Sequence, residues 1–277
     1  MMQPYQGKMP LIFVGHGSPM NALEDNAWTQ TWQNLGQEMP RPKGILCLSA
    51  HFAGGKSLVV DVEKPETIHD FYGFPQELFD MRYPAPGEPS LAQRVTELFA
   101  DAQETDRWGL DHGAWSVLVH LYPKADIPVV QLSLNAYKPL DYHVELGARL
   151  AGLRDRGVLI VASGNVVHNL GTMDPRRPGA GFDWAHRFDE DAFAVLRDRP
   201  GDAAALGEDP DYRHAVPTPD HFLPLLYVAG LAAESGEQPA ILVDGVEYGS
   251  LSMTSYAIGG NYPTRDGDGH GADGGAE

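Results

Sequence analysis

The sequence predicts an α/β fold, a single domain in which a central, mostly parallel but mixed sheet is flanked by helices. Three unbroken apolar runs support this prediction, because parallel strands buried on both faces lack polar alternation. The runs are LIFV at 11–14, ILCL at 45–48 and VLIVA at 158–162. Stretches with helical spacing separate them, and neither an internal repeat nor a linker divides the 277-residue chain.

The other elements follow in chain order. Apolar residues at helical spacing predict helices over residues 21–37, 88–103, 139–154 and 184–197. Thr218 is the expected N-cap of a last helix with Pro219 in its first position. Residues 241–258 predict two strands joined by a turn, an antiparallel addition to the sheet. We therefore expect a catalytic domain over residues 1–262 and a disordered Gly/Asp-rich tail over 263–277.

Composition excludes several classes of function. The formal net charge of −18 argues against nucleic acid and against an anionic membrane surface. No apolar run approaches the ~18 residues that a membrane span needs, and residues 1–10 show no secretory signal. Cys47 is the single cysteine, so the chain has no intramolecular disulfide and no thiolate metal site. We expect a cytoplasmic protein, and the composition leaves its oligomeric state open.

Histidines follow the three apolar runs. His16 and His51 come directly after the first and second runs, and His168 comes shortly after the third. Because open α/β sheets bind ligands at the carboxyl ends of their strands, these side chains predict a metal site at that edge. His221, expected in the first turn of the last helix, would be kept neutral by the helix dipole and able to bind a metal.

With His221 as a third ligand beside His16 and His51, coordination positions stay open for substrate. His168 is then either a fourth ligand or a free acid/base group. His112, in the motif DHGAW, suits proton transfer or hydrogen bonding to a substrate oxygen. His69 lies in an aromatic loop, where a structural role and closure over a flat substrate are both open. Imidazole ligands suit zinc, iron, copper or nickel.

Six motifs in this order resemble one family, the class III extradiol ring-cleavage dioxygenases, in particular the 4,5-DOPA dioxygenase extradiol branch. The resemblance spans about residues 9–259. The motifs are GHGSPM at 15–20, SAHF at 49–52, TIHDFYGFP at 67–75, DHGAW at 111–115, SGNVVHNL at 163–170 and TPDHFLPLLY at 218–227.

The resemblance implies a non-haem iron(II) enzyme that uses O2 to open a catechol ring beside its two hydroxyls, giving a muconic semialdehyde. It matches His16, His51 and His221 to the metal ligands, and His168 to the acid/base histidine or a further ligand. Zinc often occupies this site in related proteins. Many members of the wider class use two histidines and a glutamate, whereas the third ligand position here is a histidine.

Two other functions fit the same scaffold. A zinc-dependent hydrolase would use a metal-bound water as nucleophile, although no HExxH-like motif supplies its glutamate base. A non-catalytic relative would bind a peptide or protein in the cleft, and it would not need every site histidine. The substrate also stays open among DOPA, a protocatechuate-like acid and a larger catechol. Arg82, Arg176 and Arg177 are candidate partners for a substrate carboxylate.

Overall fold

The computed structural model describes residues 7–260, so the predicted domain boundary at 262 and the 263–277 tail lie outside the described residues. The strands are β1 (Leu11–Gly15), β2 (Gly44–Gly54), β3 (Ser57–Val60), β4 (Ala102–Thr105), β5 (Val129–Asn135), β6 (Val158–Gly164), β7 (Pro239–Val243), β8 (Val246–Glu247), β9 (Leu251–Ser252) and β10 (Ser255–Ile258). The helices are α1 (Ala27–Glu38), α2 (Gln76–Asp80), α3 (Pro89–Leu98), α4 (His112–Leu121), α5 (Leu140–Arg149), α6 (Ala151–Arg154), α7 (Asp183–Asp198), α8 (Tyr212–Ala215) and α9 (Leu223–Ser235). Turns of 3₁₀-helix cover Pro19–Ala22, Leu170–Thr172 and Pro200–Glu208.

Eight strands form one mixed sheet in the order β4-β3-β5-β2-β6-β1-β10-β7. The four central strands β5, β2, β6 and β1 are parallel, whereas β10 pairs antiparallel with both β1 and β7. The predicted fold class is confirmed, including the antiparallel addition near the C-terminus. The carboxyl ends of β1, β2 and β6 therefore meet at one edge of the sheet.

Both faces of this sheet are covered, which is why the central strands are apolar throughout. Leu11 and Phe13 of β1 pack in one apolar core, and Ile12 and Val14 pack in the other. The first core lies against α3, α5, α7 and α9, and the second against α1 and α4. Cys47 is buried in the second core as a free thiol.

Three element boundaries differ from the sequence prediction. The segment predicted as a helix over 88–103 is α3 followed by strand β4, which pairs with β3 at the edge of the sheet. The helix predicted over 21–37 starts at Ala27, because the Asn26 side chain accepts hydrogen bonds from its first turn. The last helix begins at Leu223 rather than beside Thr218, with Pro224 in its first turn. His221 therefore precedes this helix instead of lying within it.

No helix in the described residues is long and apolar enough to cross a membrane.

Arg154 ties the amino-terminal end of the sheet together. Its side chain is fully buried, and its guanidinium donates to the Met9 carbonyl, to the Ile258 carbonyl and to the Glu237 carboxylate. Arg154→Ala removes the side-chain donor to both carbonyls and one of the cationic partners of Glu237, so we expect a loss of about 3 kcal/mol in the free energy of unfolding. Urea denaturation measures this loss. Arg156→Ala removes an exposed arginine two residues away and is expected to change stability by less than about 0.5 kcal/mol.

His143 makes the stability of the fold depend on pH. It is buried in α5 beside Tyr227, and burial lowers its pKa to about 4. Because the unfolded chain binds a proton near pH 6.5 and the folded chain does not, stability falls as pH drops from 6.5 towards 4, by about 2 kcal/mol at pH 5. His143→Phe should remove this share of the pH dependence, measured as unfolding free energies at pH 7.5 and 5. Equal pH dependence in both proteins would contradict it.

Candidate metal centre

Five histidines meet at the carboxyl edge of the parallel strands. His51 lies in β2, His16 follows β1, and His168 lies four residues beyond β6. His112 is the first residue of α4, and His221 lies just before α9. The backbone N–H of His16 donates to the Gly164 carbonyl over 3.1 Å, which joins the ends of β1 and β6. Residues far apart in the sequence are thus held in one cluster by the sheet.

Three of the five rings lie at nearly equal distances from one another. The ring centroids of His16 and His51 are 5.1 Å apart, those of His16 and His221 are 5.3 Å apart, and those of His51 and His221 are 5.0 Å apart. Only 3.1 Å separates the Nε2 atoms of His16 and His51. Such nearly equal separations form a triangle of imidazoles.

This triangle has the dimensions of a site for one metal ion. An ion about 2.1 Å from each ring nitrogen lies about 3.2 Å from each ring centre, so tetrahedrally placed rings have centres about 5.2 Å apart. The three measured separations, 5.0, 5.1 and 5.3 Å, agree with this value. The residues present therefore fit an imidazole-bound divalent metal.

The hydrogen bonds behind these rings also fit a metal. Ser163 donates its hydroxyl to the Gly113 carbonyl, and its oxygen lies 3.0 Å from His16 Nδ1, which then donates to it. Carboxylate oxygens face the Nδ1 atoms of the other two rings, Asp70 at 3.3 Å from His51 and Asp220 at His221. Each Nδ1 has an oxygen nearby, and the Nε2 atoms of His16 and His51 are left facing each other.

Burial keeps these imidazoles in the form that binds metals. It lowers the pKa of His16 well below its ordinary value, with a further contribution from the repulsion of His51 and the other histidines. Burial and the neighbouring His112 lower the pKa of His51 to about 2. Both rings are therefore neutral at pH 7, and a neutral imidazole is the metal-binding form.

Asp70 joins two of the histidines. Its Oδ1 lies 3.0 Å from His112 Nδ1 and accepts the His112 backbone N–H over 2.9 Å, while its Oδ2 faces His51. Burial alone would raise the pKa of Asp70, but the hydrogen bonds and charge of His112 lower it below the ordinary value. Asp70 is therefore ionised at pH 7 and orients both rings.

His168 lies face to face with His221, with ring centroids 3.5 Å apart and an angle of 1° between the planes. Because the two rings are parallel and stacked, their nitrogen lone pairs lie in separate parallel planes, and a metal held by His221 would not be in position to bind His168 as well. This stacking favours the acid/base alternative for His168 over the ligand alternative. Burial, followed by the charge of His221, lowers the pKa of His168 to about 3, so the ring is neutral at pH 7.

His112 lies within reach of the same centre. Its ring nitrogen and those of His16 and His51 all lie within 4.8 Å of one another, so these three form an alternative ligand set. The His112 ring is 3.8 Å from His51 but 6.0 Å from His16. The ring centroids of this set are less evenly spaced than those of the triangle that includes His221, but its ring nitrogens are the ones that lie close together.

Other candidates lie away from the centre. His69 Nε2 lies 3.0 Å from the Met81 carbonyl, and its ring packs against Trp115. These contacts favour the structural role for His69 over closure on a substrate. Arg82 lies beside it, 3.3 Å from His69 Nε2. The other two arginines proposed as carboxylate partners, Arg176 and Arg177, form ion pairs with Asp174.

Sequence reasoning missed the acceptors behind the rings. Asp70 and Asp220 lie next to His69 and His221 in the sequence, and Ser163 lies in the SGN motif. An acidic residue beside a candidate ligand is the available signal, but adjacency does not show which ring the carboxylate faces. Asp70 shows this limit, because it contacts His51 and His112 rather than its neighbour His69.

Comparison with known proteins identifies the family. Residues 10–259 match the family described as the catalytic LigB subunit of aromatic ring-opening dioxygenase. An Escherichia coli K12 protein named 4,5-DOPA dioxygenase extradiol is 50% identical over 260 residues, covering 91% of this chain and 95% of that protein. A protein of the same name from Beta vulgaris is 37% identical over 258 residues, covering 88% and 96%.

A solved structure agrees with these matches. The crystal structure of an uncharacterized Escherichia coli K12 protein has a TM-score of 0.80 and 44% identity, covering 91% of this chain and 100% of that one. The resemblance seen in the sequence motifs is confirmed. The chain belongs to the class III extradiol dioxygenases, the LigB family of aromatic ring-opening dioxygenases, in the 4,5-DOPA dioxygenase extradiol branch.

Proposed function

We propose that this enzyme opens the ring of DOPA, or of a closely related catechol, beside its two hydroxyls to give a muconic semialdehyde. The observation that carries the proposal is the triangle of His16, His51 and His221, with centroid separations of 5.0–5.3 Å. The relatives named 4,5-DOPA dioxygenase extradiol support this choice of substrate.

The metal that we propose is iron(II), held by His16, His51 and His221. When bound, iron supplies open positions for the two catechol oxygens and for O2, together with the redox chemistry that joins them. Zinc fits the same nitrogen ligands but has no redox chemistry, so zinc occupancy would leave the site unable to cleave a ring. Three neutral ligands also leave the full double positive charge of the ion to favour a deprotonated catechol.

His168 and His112 are the proposed proton-transfer groups. A catechol must lose hydroxyl protons as it binds, and a neutral imidazole accepts one. His168 stacks on a proposed ligand without sharing its plane, and Asp70 Oδ1 lies 3.0 Å from His112 Nδ1, so Nε2 is the proposed acceptor of His112. His168 is our first choice, with His112 binding a substrate oxygen. The cytoplasmic location stays a prediction from composition.

Ring cleavage requires oxygen, and this requirement tests the proposal. We expect Fe(II)-loaded protein in air to convert DOPA to a yellow product while consuming one O2 per ring. The same mixture without O2 should give no product, and zinc-loaded protein should be inactive in air. Absorbance spectra and an oxygen electrode measure both quantities. Product formation without O2 would contradict the proposal and favour the hydrolase alternative.

Single substitutions test the ligand assignment. We expect His16→Ala, His51→Ala and His221→Ala each to lose metal and activity together, because two imidazoles hold a divalent ion far more weakly than three. Elemental analysis after dialysis measures the metal content. His214→Ala, at an exposed position outside the cluster, is the matched control and should keep both. Full metal content in His16→Ala would overturn the assignment.

Two further variants separate ligands from proton-transfer groups. His168→Ala should keep its metal and lose turnover by about 10²-fold or more, as expected for removal of a general acid/base. His112→Ala should keep more metal than His221→Ala. Loss of metal from His168→Ala would make His168 a ligand, and loss from His112→Ala but not from His221→Ala would exchange those two roles.

A further inference from the structure

A second buried carboxylate, Asp111, lies behind the histidine cluster and is not used by the proposed reaction. Its side chain is fully buried and accepts four hydrogen bonds, two on each oxygen. Ser49 Oγ (2.6 Å) and the Ala114 N–H (3.2 Å) donate to Oδ1. Gln131 Nε2 (2.8 Å) and Trp108 Nε1 (3.3 Å) donate to Oδ2.

None of these four donors carries a charge. A buried carboxylate without a cationic partner is costly, and burial accordingly raises the pKa of Asp111. Asp111 is also the N-cap of α4, a position where a serine or asparagine serves a helix equally well. Capping alone therefore does not explain why the buried residue here is an aspartate.

Two of the donors, Ser49 and Ala114, come from elements that carry histidines of the cluster, β2 and α4. Ser49 lies in β2, where its oxygen also accepts the backbone N–H of His51 over 3.2 Å. Gln131 lies in β5, and its Oε1 accepts the Asp111 backbone N–H over 3.0 Å. Asp111 itself precedes His112, the first residue of α4. One carboxylate thus connects the backbone beside His51 to the backbone beside His112.

At Gly113, α4 packs against β2 with no room for a further carbon atom. A Cβ atom added to Gly113 would lie 2.4 Å from Ser49 Oγ and 2.9 Å from Cδ2 of His51. The Gly113 carbonyl accepts the Ser163 hydroxyl, which in turn contacts His16 Nδ1. A shift of the first turn of α4 would therefore displace His16 and His51 as well as His112.

We propose that Asp111 is a positioning residue that sets the separation of α4 from β2 and thereby the metal affinity of the histidine cluster. It contacts neither substrate nor metal, and it acts through Ser49 on His51 and through the start of α4 on His112. This inference rests on the proposed metal site but not on the proposed catechol chemistry.

Metal affinity tests the proposal without any turnover. We would measure the dissociation constant for Co(II) by competition with a chelator, together with the visible absorption of bound Co(II), which reports ligand geometry. In Asp111→Asn one carboxylate oxygen becomes an NH₂ group, which cannot accept the hydrogen bonds that the neighbouring groups donate. We expect the affinity to fall about 10- to 100-fold and the visible spectrum to change. Ser49→Ala, which removes one donor and keeps the carboxylate, should give a smaller loss of the same kind.

Rescue and a control make the test specific. Adding Gln131→Glu to Asp111→Asn places an acceptor opposite the new NH₂ group, so we expect most of the lost affinity to return. Glu237→Gln weakens the ion pair with Arg154 at the opposite end of the sheet and should lower stability without changing Co(II) affinity or its spectrum.

Three results would overturn the proposal: wild-type Co(II) affinity in Asp111→Asn, no recovery in the double variant, or an equal affinity loss in Glu237→Gln. Failure of the catechol chemistry would appear differently, as Co(II) binding that responds to Asp111→Asn in a protein that cleaves no ring.

Discussion

The crowding of neutral imidazoles at the edge of the sheet is the constraint on which the site depends. Two ring nitrogens 3.1 Å apart cannot both be protonated without strong repulsion in a buried environment. Burial and mutual repulsion lower the pKa values of His16, His51 and His168. A cluster held neutral in this way keeps its nitrogen lone pairs available, and a metal cation would satisfy several of them together.

The fold positions this cluster in two ways, through rigid central strands and through loops that are attached to those strands. β1 and β2 are central strands buried on both faces, so His16 and His51 start from rigid backbone. His221 lies on a loop, but its carbonyl accepts the Asn165 N–H just beyond β6 over 2.9 Å. The Met253 backbone packs so closely on Gly15 that an added Cβ would meet it at 2.7 Å. These contacts hold the loop residues His221 and Met253 against the carboxyl ends of β6 and β1.

The sequence was informative where local chemistry decides the structure. Unbroken apolar runs predicted the buried strands, and the histidines after them predicted the metal edge. The start of α9 could not be predicted, because Pro219 and Pro224 are both acceptable in a first turn and the sequence does not distinguish them. Strand β4 was missed because its exposed residues AQET lack an apolar run and form a strand only by pairing with β3.

The roles of the carboxylates depend on tertiary contacts and were beyond the sequence. Asp70 follows His69 in the chain, yet the fold turns His69 towards Met81 and Asp70 towards His51 and His112. Spacing along the chain contains no information on this choice, since consecutive side chains in a loop have no fixed relative direction. The sequence shows Asp111 beside His112, but it does not show the hydrogen bonds of Asp111 to Ser49 in β2 and Gln131 in β5, because these elements meet only in the folded protein.

The carboxylates also bear on the proposed three-histidine site, which differs from the two histidines and a glutamate of many members of the wider class. A glutamate ligand brings its negative charge into direct contact with the metal. Here Asp70 and Asp220 hold theirs one imidazole further away, at the Nδ1 atoms of His51 and His221. Hydrogen bonding to a carboxylate makes an imidazole a stronger electron donor. Although this donation offsets part of the ion's charge, a metal held by the proposed ligands would keep more of its charge for the substrate oxygens than one bound directly by a glutamate.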